Sequence, residues 1–334
     1  MDAYVNGISY YLPEQILSNE ILNKSFPEWS SDKISSKTGI FERRIAGENE
    51  FTSDMAVKAA EKLFEEYNIS RNDIDFILLC TQSPDYFLPT TACIIQDKLG
   101  IPTNAGALDF NLGCSGYVYG LSLAKGLIKA EVAKNILLIT SETYSKLINP
   151  KDKGNRTLFG DAASATLITD KPGLCSIGDF VLGTDGSGAK NLMVSNGGSR
   201  NRFAIGIDEE EGGDWKRNNS NLYMDGAEIF SFTSKAVPEL VDQILVKSKL
   251  NLEEINLFIF HQANQFMLNH IRKKINIPED KFFIFLKNCG NTVSSTIPIA
   301  LREAIDSKSI KANDTILLAG FGVGYSWGAN IIKF

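Results

Sequence analysis

Histidine is nearly absent from the 334 residues: His261 and His270 are the only two. Any imidazole acting as a proton carrier or hydrogen-bond donor near neutral pH must therefore be one of them. Cysteine is sparse and odd in number, with Cys80, Cys93, Cys114, Cys175 and Cys289 and no C-x-x-C pair. That excludes a zinc ribbon and a disulfide-built mini-protein, and it predicts reduced thiols in a cytoplasmic chain, one of them reactive. No long run of Lys and Arg is present, and 34 basic against 40 acidic residues leave a net charge of −6. No phosphate-neutralising footprint results, so a nucleic-acid partner is not expected. Met1-Asp2-Ala3-Tyr4 lacks the basic flank and apolar core of a signal peptide. The 18 charge-free residues from Thr315 to Ile332 include Gly320, Gly322, Gly324 and Gly328. They read as a glycine-rich buried strand and turn, so no membrane span is expected.

What is present is an ordinary globular balance of 43% hydrophobic and 22% charged residues, enough in a chain this long to bury a core unaided. Phe76–Cys80, Ile136–Thr140, Leu257–Phe260 and Thr315–Ala319 are continuous apolar runs of strand length. They predict strands covered on both faces, as in a mainly parallel sheet. Helical patterns over Asp54–Tyr67, Thr91–Leu99, Tyr117–Ile128 and Phe230–Lys247 alternate with them, which gives an α/β class. Ile74–Gln82 is matched by Ile255–Ala263 at an offset of 181, and Ile136 by Ile316 at 180. Two ordered matches at almost one offset predict a duplicated unit, with halves at residues 1–172 and 173–334. Gly183–Asn221, rich in Gly, Ser, Asn and charge, is expected to be a surface excursion with at most short strands.

Four places can carry chemistry. Cys114 lies in Gly113-Cys114-Ser115-Gly116, between a strand ending near Phe110 and a helix. A thiol at a helix N-terminus faces free N–H groups, which predicts a lowered pKa and a favoured thiolate; the competing reading is an inert buried cysteine. Cys80, Cys93 and Cys175 are read as structural, and Cys289 is open. His261 ends an apolar strand and opens His261-Gln262-Ala263-Asn264, where ligands of α/β sheets bind. His270, beside Arg272 and Lys273, is expected on a solvated helix face. Asn291, in Cys289-Gly290-Asn291-Thr292, stands at the second half's counterpart of the Cys114 turn. Its amide can donate to an oxyanion, or it is simply a turn asparagine in left-handed conformation. Gly320-Phe321-Gly322-Val323-Gly324 follows a strand but fits no dinucleotide or P-loop spacing, so an oxyanion hole is its more coherent use.

Taken in order, Asp109–Tyr117, Phe159-Gly160-Asp161-Ala162-Ala163, His261-Gln262-Ala263-Asn264, Gly290-Asn291-Thr292 and Gly320–Gly324 resemble the β-ketoacyl-acyl-carrier-protein synthase III family of thiolase-fold condensing enzymes. Tyr10–Glu14 and Lys37-Thr38-Gly39-Ile40 extend the likeness over essentially the whole chain. The resemblance implies a duplicated thiolase-like fold in α-β-α-β-α layers and a homodimer in the cytoplasm. It implies an acyltransferase joining an acyl thioester, carried on Cys114, to malonyl-acyl-carrier protein with loss of carbon dioxide. Cys114, His261 and Asn291 would be the catalytic residues, and the N–H groups of Cys114 and Val323 the oxyanion donors. No metal or redox cofactor is needed, only pantetheine thioesters linked to acyl-carrier protein or coenzyme A. An acyltransferase of this fold acting on an oxygen or nitrogen nucleophile without condensation is the alternative; an inert partner subunit is disfavoured because all three catalytic types are present.

The same resemblance assigns substrate contacts to Asn264, Lys37, Lys153, Leu88, Phe159, Met224, Gly226 and Phe230, and carrier-protein docking to Arg272, Lys273 and Lys274. Three departures bear on the donor. Lys33 and Lys37 occupy the family's tryptophan and arginine positions, and Trp29 is displaced four residues upstream. Lys153 replaces an adenine-stacking arginine, with Arg156 close by. Lysine lacks the planar guanidinium that stacks on a base, so weakened coenzyme A recognition is expected, with an acyl-carrier-protein donor or another nucleotide contact. Phe266 stands where a docking arginine is expected. Gln82 replaces the acid–base glutamate of hydroxymethylglutaryl-coenzyme A synthases, and an amide cannot transfer protons, which disfavours that activity.

Overall fold

The computed structural model describes residues 2–202, 210–211, 214–215 and 219–334. Its apolar runs form nine strands: β1 (Tyr4–Tyr11), β2 (Phe76–Cys80), β3 (Gly106–Phe110), β4 (Asn135–Glu142), β5 (Ala162–Thr169), β6 (Cys175–Thr184), β7 (Leu257–Phe260), β8 (Thr315–Gly322) and β9 (Ser326–Lys333). Their order is β3-β2-β4-β5-β1-β6-β9-β8-β7. The centre is thin, because β1 and β6 pair only through Tyr4 with Ser176 and Val5 with Cys175. On either side the same sequence of strands recurs: β2, β4, β5 and β1 in one half correspond to β7, β8, β9 and β6 in the other.

Helices cover both faces, which is why the strands read as unbroken apolar runs. α1 (Thr52–Tyr67) and α2 (Thr91–Leu99) lie outside the first half-sheet. α3 (Gly116–Lys129) and α6 (Thr296–Asp306) lie between the half-sheets, and α4 (Gly226–Ser248) packs outside the second against α5 (Gln265–Ile275). Three apolar clusters fill the three helical layers. Leu63, Ile77 and Ile139 belong to the first, Tyr117, Leu138 and Ile259 to the central one, and Val241, Phe260 and Leu268 to the last. Each such side chain, fully withdrawn from water, contributes about 1.5–3 kcal/mol. The architecture is the layered, duplicated α/β fold expected.

Two expectations need correction. The sheet is mixed: β2–β3, β2–β4 and β7–β8 are parallel, and the remaining pairs are antiparallel. Burial on both faces removes the polar alternation whichever way a strand runs, so the apolar runs carried no information about direction. His270 is half-buried, not on a solvated face: its ring tilts against Phe230 at 4.8 Å and its Nε2 lies 2.9 Å from Ser234 Oγ. Thr315–Ile332 forms the β8–β9 hairpin, and among the described residues no helix is long and apolar enough to cross a membrane. In the excursion after Gly183, Leu192–Met193, Glu210–Glu211 and Asp214–Trp215 form short strands; residues 203–209, 212–213 and 216–218 lie outside the described ones.

Candidate active site

Cys114 sits in the turn between β3 and α3, one residue before the helix cap at Ser115. The turn is pressed against the end of β8, and only glycine fits there. A Cβ on Gly322 would lie 2.8 Å from both Cβ and Sγ of Cys114, and one on Gly320 would lie 2.7 Å from the Cys114 carbonyl oxygen. The thiol therefore faces bare backbone. The N–H groups of Cys114 itself and of Val323 lie near enough to the sulfur to act on its pKa. They favour the thiolate, as expected at a helix N-terminus, but the expected low pKa is not found. Burial, followed by the nearby Glu142 carboxyl, pushes the thiol up to about 12. Loss of hydration outweighs two N–H dipoles in a dry site. At neutral pH Cys114 therefore rests as a thiol.

His261 follows β7 and is buried; its N–H donates to the Ala319 carbonyl at 2.8 Å. Its ring meets Phe321 edge-on at 5.7 Å. Burial lowers its pKa from 6.5 to about 3, so the imidazole is neutral at any working pH. Asn291 is held on both backbone sides: its N–H donates to the Leu158 carbonyl at 2.9 Å and its carbonyl accepts from Gly160 at 3.0 Å. The left-handed residues of this turn are Gly290 (φ 72°) and Val293 (φ 55°), not Asn291. The turn-asparagine reading is thereby removed. Val293 N–H donates to Asn291 Oδ1 at 2.9 Å, which leaves the Nδ2 amide as the end available to a ligand. A branched residue at positive φ is strained, on the order of 1–2 kcal/mol, and here the strained N–H aims a functional amide.

Sequence reasoning missed the floor beneath the thiol. Glu142, at the end of β4, is fully buried and receives Gln82 N–H at 3.0 Å, Ser294 Oγ–H at 2.8 Å and Ser83 Oγ–H at 3.2 Å. Burial raises its pKa to about 8 despite those donors, so it is mostly protonated at neutral pH. Gln82 is held in turn by Tyr144, whose hydroxyl donates to Gln82 Oε1 at 2.7 Å. The signal was available: Glu142 ends an apolar strand just as His261 does. Cys80 and Cys289 are buried thiols raised by desolvation, and Cys93 is exposed.

The residues to which the resemblance assigned substrate or carrier-protein contacts come from distant segments. Trp29, displaced in sequence, is returned in space: Lys33 and Lys37 lie 5.5 Å from its ring and Lys153 lies 5.8 Å from it. Lys153 also pairs with Glu28 at 3.1 Å, whereas Arg156 faces Phe26 instead. Phe159 is buried beside Asn291, bridging to it and tilting against Tyr144 at 5.2 Å. Asn264 caps α5, its Oδ1 accepting from Met267 N–H at 2.9 Å. Met224 packs on the outer core, and Gly226 opens α4 with nothing within 4 Å of an added Cβ. Phe230 stacks on exposed Phe266 at 5.7 Å, and Leu88 is 85% exposed. Of the three docking candidates, Lys273 and Lys274 are exposed, but Arg272 is not available. Its side chain is 12% exposed, and its guanidinium is held by Glu279 at 3.2 Å and by the Ile277 carbonyl at 3.1 Å. A basic residue in the last helical turn is satisfied by the helix end itself.

A thiol delivered by one half of a duplicated sheet, and an imidazole and an amide delivered by the other, define an acyl-transferring enzyme of the thiolase fold. Comparison with known proteins narrows the class. The 3-oxoacyl-[acyl-carrier-protein] synthase III family matches residues 108–186, and the C-terminal part of the same family matches residues 245–334. A β-ketoacyl-[acyl-carrier-protein] synthase III of Clostridium perfringens is 40% identical over 332 residues, covering 99% of each chain. A crystal structure of a 3-oxoacyl-(acyl-carrier-protein) synthase III superimposes with a TM-score of 0.97 at 48% identity over 100% of both chains. A synthase of this kind from Burkholderia xenovorans gives 0.92 at 34% identity, over 100% of this chain and 94% of the other. The chain belongs to the 3-oxoacyl-[acyl-carrier-protein] synthase III family.

Proposed function

We propose that the enzyme condenses an acyl thioester with malonyl-acyl-carrier protein, giving a 3-oxoacyl-acyl-carrier protein and carbon dioxide. The observation that carries this reading is the presence of two separate sets of hydrogen-bond donors. The N–H groups of Cys114 and Val323, which act on the thiol's pKa, are assigned to the first set, and Asn291 Nδ2, left over by the Val293 bond to Oδ1, and the neutral His261 imidazole to the second. Each stabilises a different oxyanion. In the first half-reaction the Cys114 sulfur attacks the donor thioester, the donor's thiol leaves with the proton, and the tetrahedral oxyanion rests on the first set. In the second, the malonyl thioester carbonyl binds the other set, carbon dioxide departs, and the enolate carbon attacks the acyl-Cys114 carbonyl. Collapse expels the Cys114 sulfur, which regains a proton. Each oxyanion donor is worth about 3–4 kcal/mol in such sites. The reaction so written draws on no metal or redox cofactor.

For the donor, Trp29 ringed by Lys33, Lys37 and Lys153 supplies an aromatic face and three cations, but no guanidinium to stack on a base. This supports a carrier-protein donor for the acyl group, with coenzyme A as the weaker substrate. The exposed apolar run of Tyr86, Phe87 and Leu88, 63–85% accessible, supports a homodimer in which a second copy covers it. Intact-mass measurement after mixing with a panel of acyl-carrier proteins and acyl-coenzyme A esters tests the acylation step. One acyl adduct is expected, lost in Cys114→Ala, and faster from carrier protein than from the matching coenzyme A ester. No adduct from any donor would refute the enzyme reading, and equal rates the donor reading.

A further inference from the structure

Behind the Asn291 turn lies a buried cation that the proposed reaction does not use. Arg43, on the strand Glu42–Ile45, is fully buried, and among the described residues no carboxylate pairs with it. Burial lowers its pKa from 12.5 to about 9, so the guanidinium stays charged at neutral pH. An unpaired buried charge is costly, and an apolar side chain of similar length would fill the same space without that cost. What an apolar side chain lacks is the flat fork of five N–H donors. Arg43 uses that fork. Its Nε–H donates to the Thr157 carbonyl at 3.0 Å, Nη2 donates to the same oxygen, and Nη1 donates to Asn19 Oδ1. Asn19 is fixed in that orientation, because its Nδ2 donates to the Ile40 carbonyl at 2.9 Å.

The Thr157 carbonyl follows the one-turn helix Lys153–Arg156, where no further turn supplies a donor. It begins the segment whose Leu158 carbonyl and Gly160 N–H hold the Asn291 backbone on both sides. The stem of Arg43 lies against both partners in that clamp. A Cβ on Gly290 would lie 3.0 Å from Arg43 Cγ and 2.8 Å from the Leu158 carbonyl oxygen, and one on Gly160 would lie 3.4 Å from Arg43 Cβ. The two stretches of chain that hold Asn291 therefore rest on one side chain. We propose that Arg43 is a positioning residue: it pins Thr157–Gly160 against Gly290 and so sets Asn291 Nδ2 in place for decarboxylation. This inference rests on the proposed use of Asn291 as a donor to the malonyl thioester carbonyl. None of these contacts reaches Cys114, Val323 or His261, so the effect belongs to one donor of the second set.

A double-mutant comparison tests it. Arg43→Met should slow carbon dioxide release from malonyl-acyl-carrier protein about 30-fold, and Arg43→Lys, which keeps the charge but offers no fork, about tenfold. Cys114 acylation, followed by intact mass, should stay within about threefold of wild type in both. In an Asn291→Ala enzyme the same substitutions should slow carbon dioxide release by less than about twofold more, because the group they position is gone. An Arg43 that served the fold alone would slow both half-reactions together, and by the same factor with or without the Asn291 amide. Either result overturns the proposal, as does undiminished carbon dioxide release in Arg43→Met or Arg43→Lys. Where Arg43→Met fails to fold, Arg43→Lys carries the same comparison. If Asn291→Ala alone leaves carbon dioxide release untouched, the use of Asn291 as a donor is what fails. If it slows release and the Arg43 factor persists unchanged beside it, the role given to Arg43 fails instead.

Discussion

The floor of the site and its mouth are held in opposite ways. On the floor, Cys114, His261, Asn291 and Glu142 are all buried, and backbone groups aim them or share their hydrogen bonds. At the mouth that the family resemblance assigns, Leu88, Phe266, Lys273 and Lys274 are exposed, and Trp29 is held by lysines from two segments. A buried donor with a fixed partner acts on one transition state, so its loss is large and specific to a step. An exposed ring or ammonium acts on binding, is screened by salt and can be replaced by a neighbour.

Asn291→Ala offers the sharpest test of that contrast. It should slow carbon dioxide release from malonyl-acyl-carrier protein by about 10²–10³-fold, while the Cys114 acyl adduct still forms by intact mass. Equal loss of both steps would erase the division between two donor sets. Glu142 tests the floor by stability. Its carboxyl is raised from 4.5 to about 8, so its contribution is fully present below 4.5 and is lost as pH rises through 8. Buried His261, lowered from 6.5 to about 3, works in the opposite sense and only as pH falls below 6.5. Between pH 7 and 9 the wild type should therefore lose about 1–2 kcal/mol that the neutral Glu142→Gln retains, measured by urea unfolding. Parallel curves for the two proteins would place the titration elsewhere. The smallest effect belongs to the mouth. Trp29→Ala should raise KM for acyl-coenzyme A about fivefold, equivalent to about 1 kcal/mol of lost cation–π and stacking contact, with kcat unchanged. A fall in kcat would mean that the entrance also shapes the chemistry.

The same contrast explains what could be read in the sequence. Cys114, His261 and Asn291 were legible because each stands at a strand end or glycine turn whose local pattern fixes the backbone, and the backbone fixes the side chain. The near-constant offset of 180–181 residues exposed the duplication for the same reason. Strand direction was not legible, since burial on both faces looks alike in either orientation. Nor was the thiol's pKa: the sequence shows the helix N-terminus, but desolvation and Glu142 come from packing. Glu142 ends an apolar strand as His261 does, but its partners are 59 to 152 residues away, and nothing local marks that carboxyl as facing them. At the mouth the misreading ran the other way. Trp29 looked displaced by four residues, yet the fold returns it to Lys37 and Lys153, and Arg272 looked free, yet Glu279 and the Ile277 carbonyl hold it.

The central claim is that the second donor set exists to make a carbanion. It is tested most directly by supplying malonyl-acyl-carrier protein labelled in its free carboxyl, together with the acyl donor that charges Cys114. Labelled carbon dioxide is counted against 3-oxoacyl product. The account predicts one carbon dioxide released for each acyl group condensed. Acyl transfer to an oxygen or nitrogen nucleophile with the label retained in malonate would contradict it.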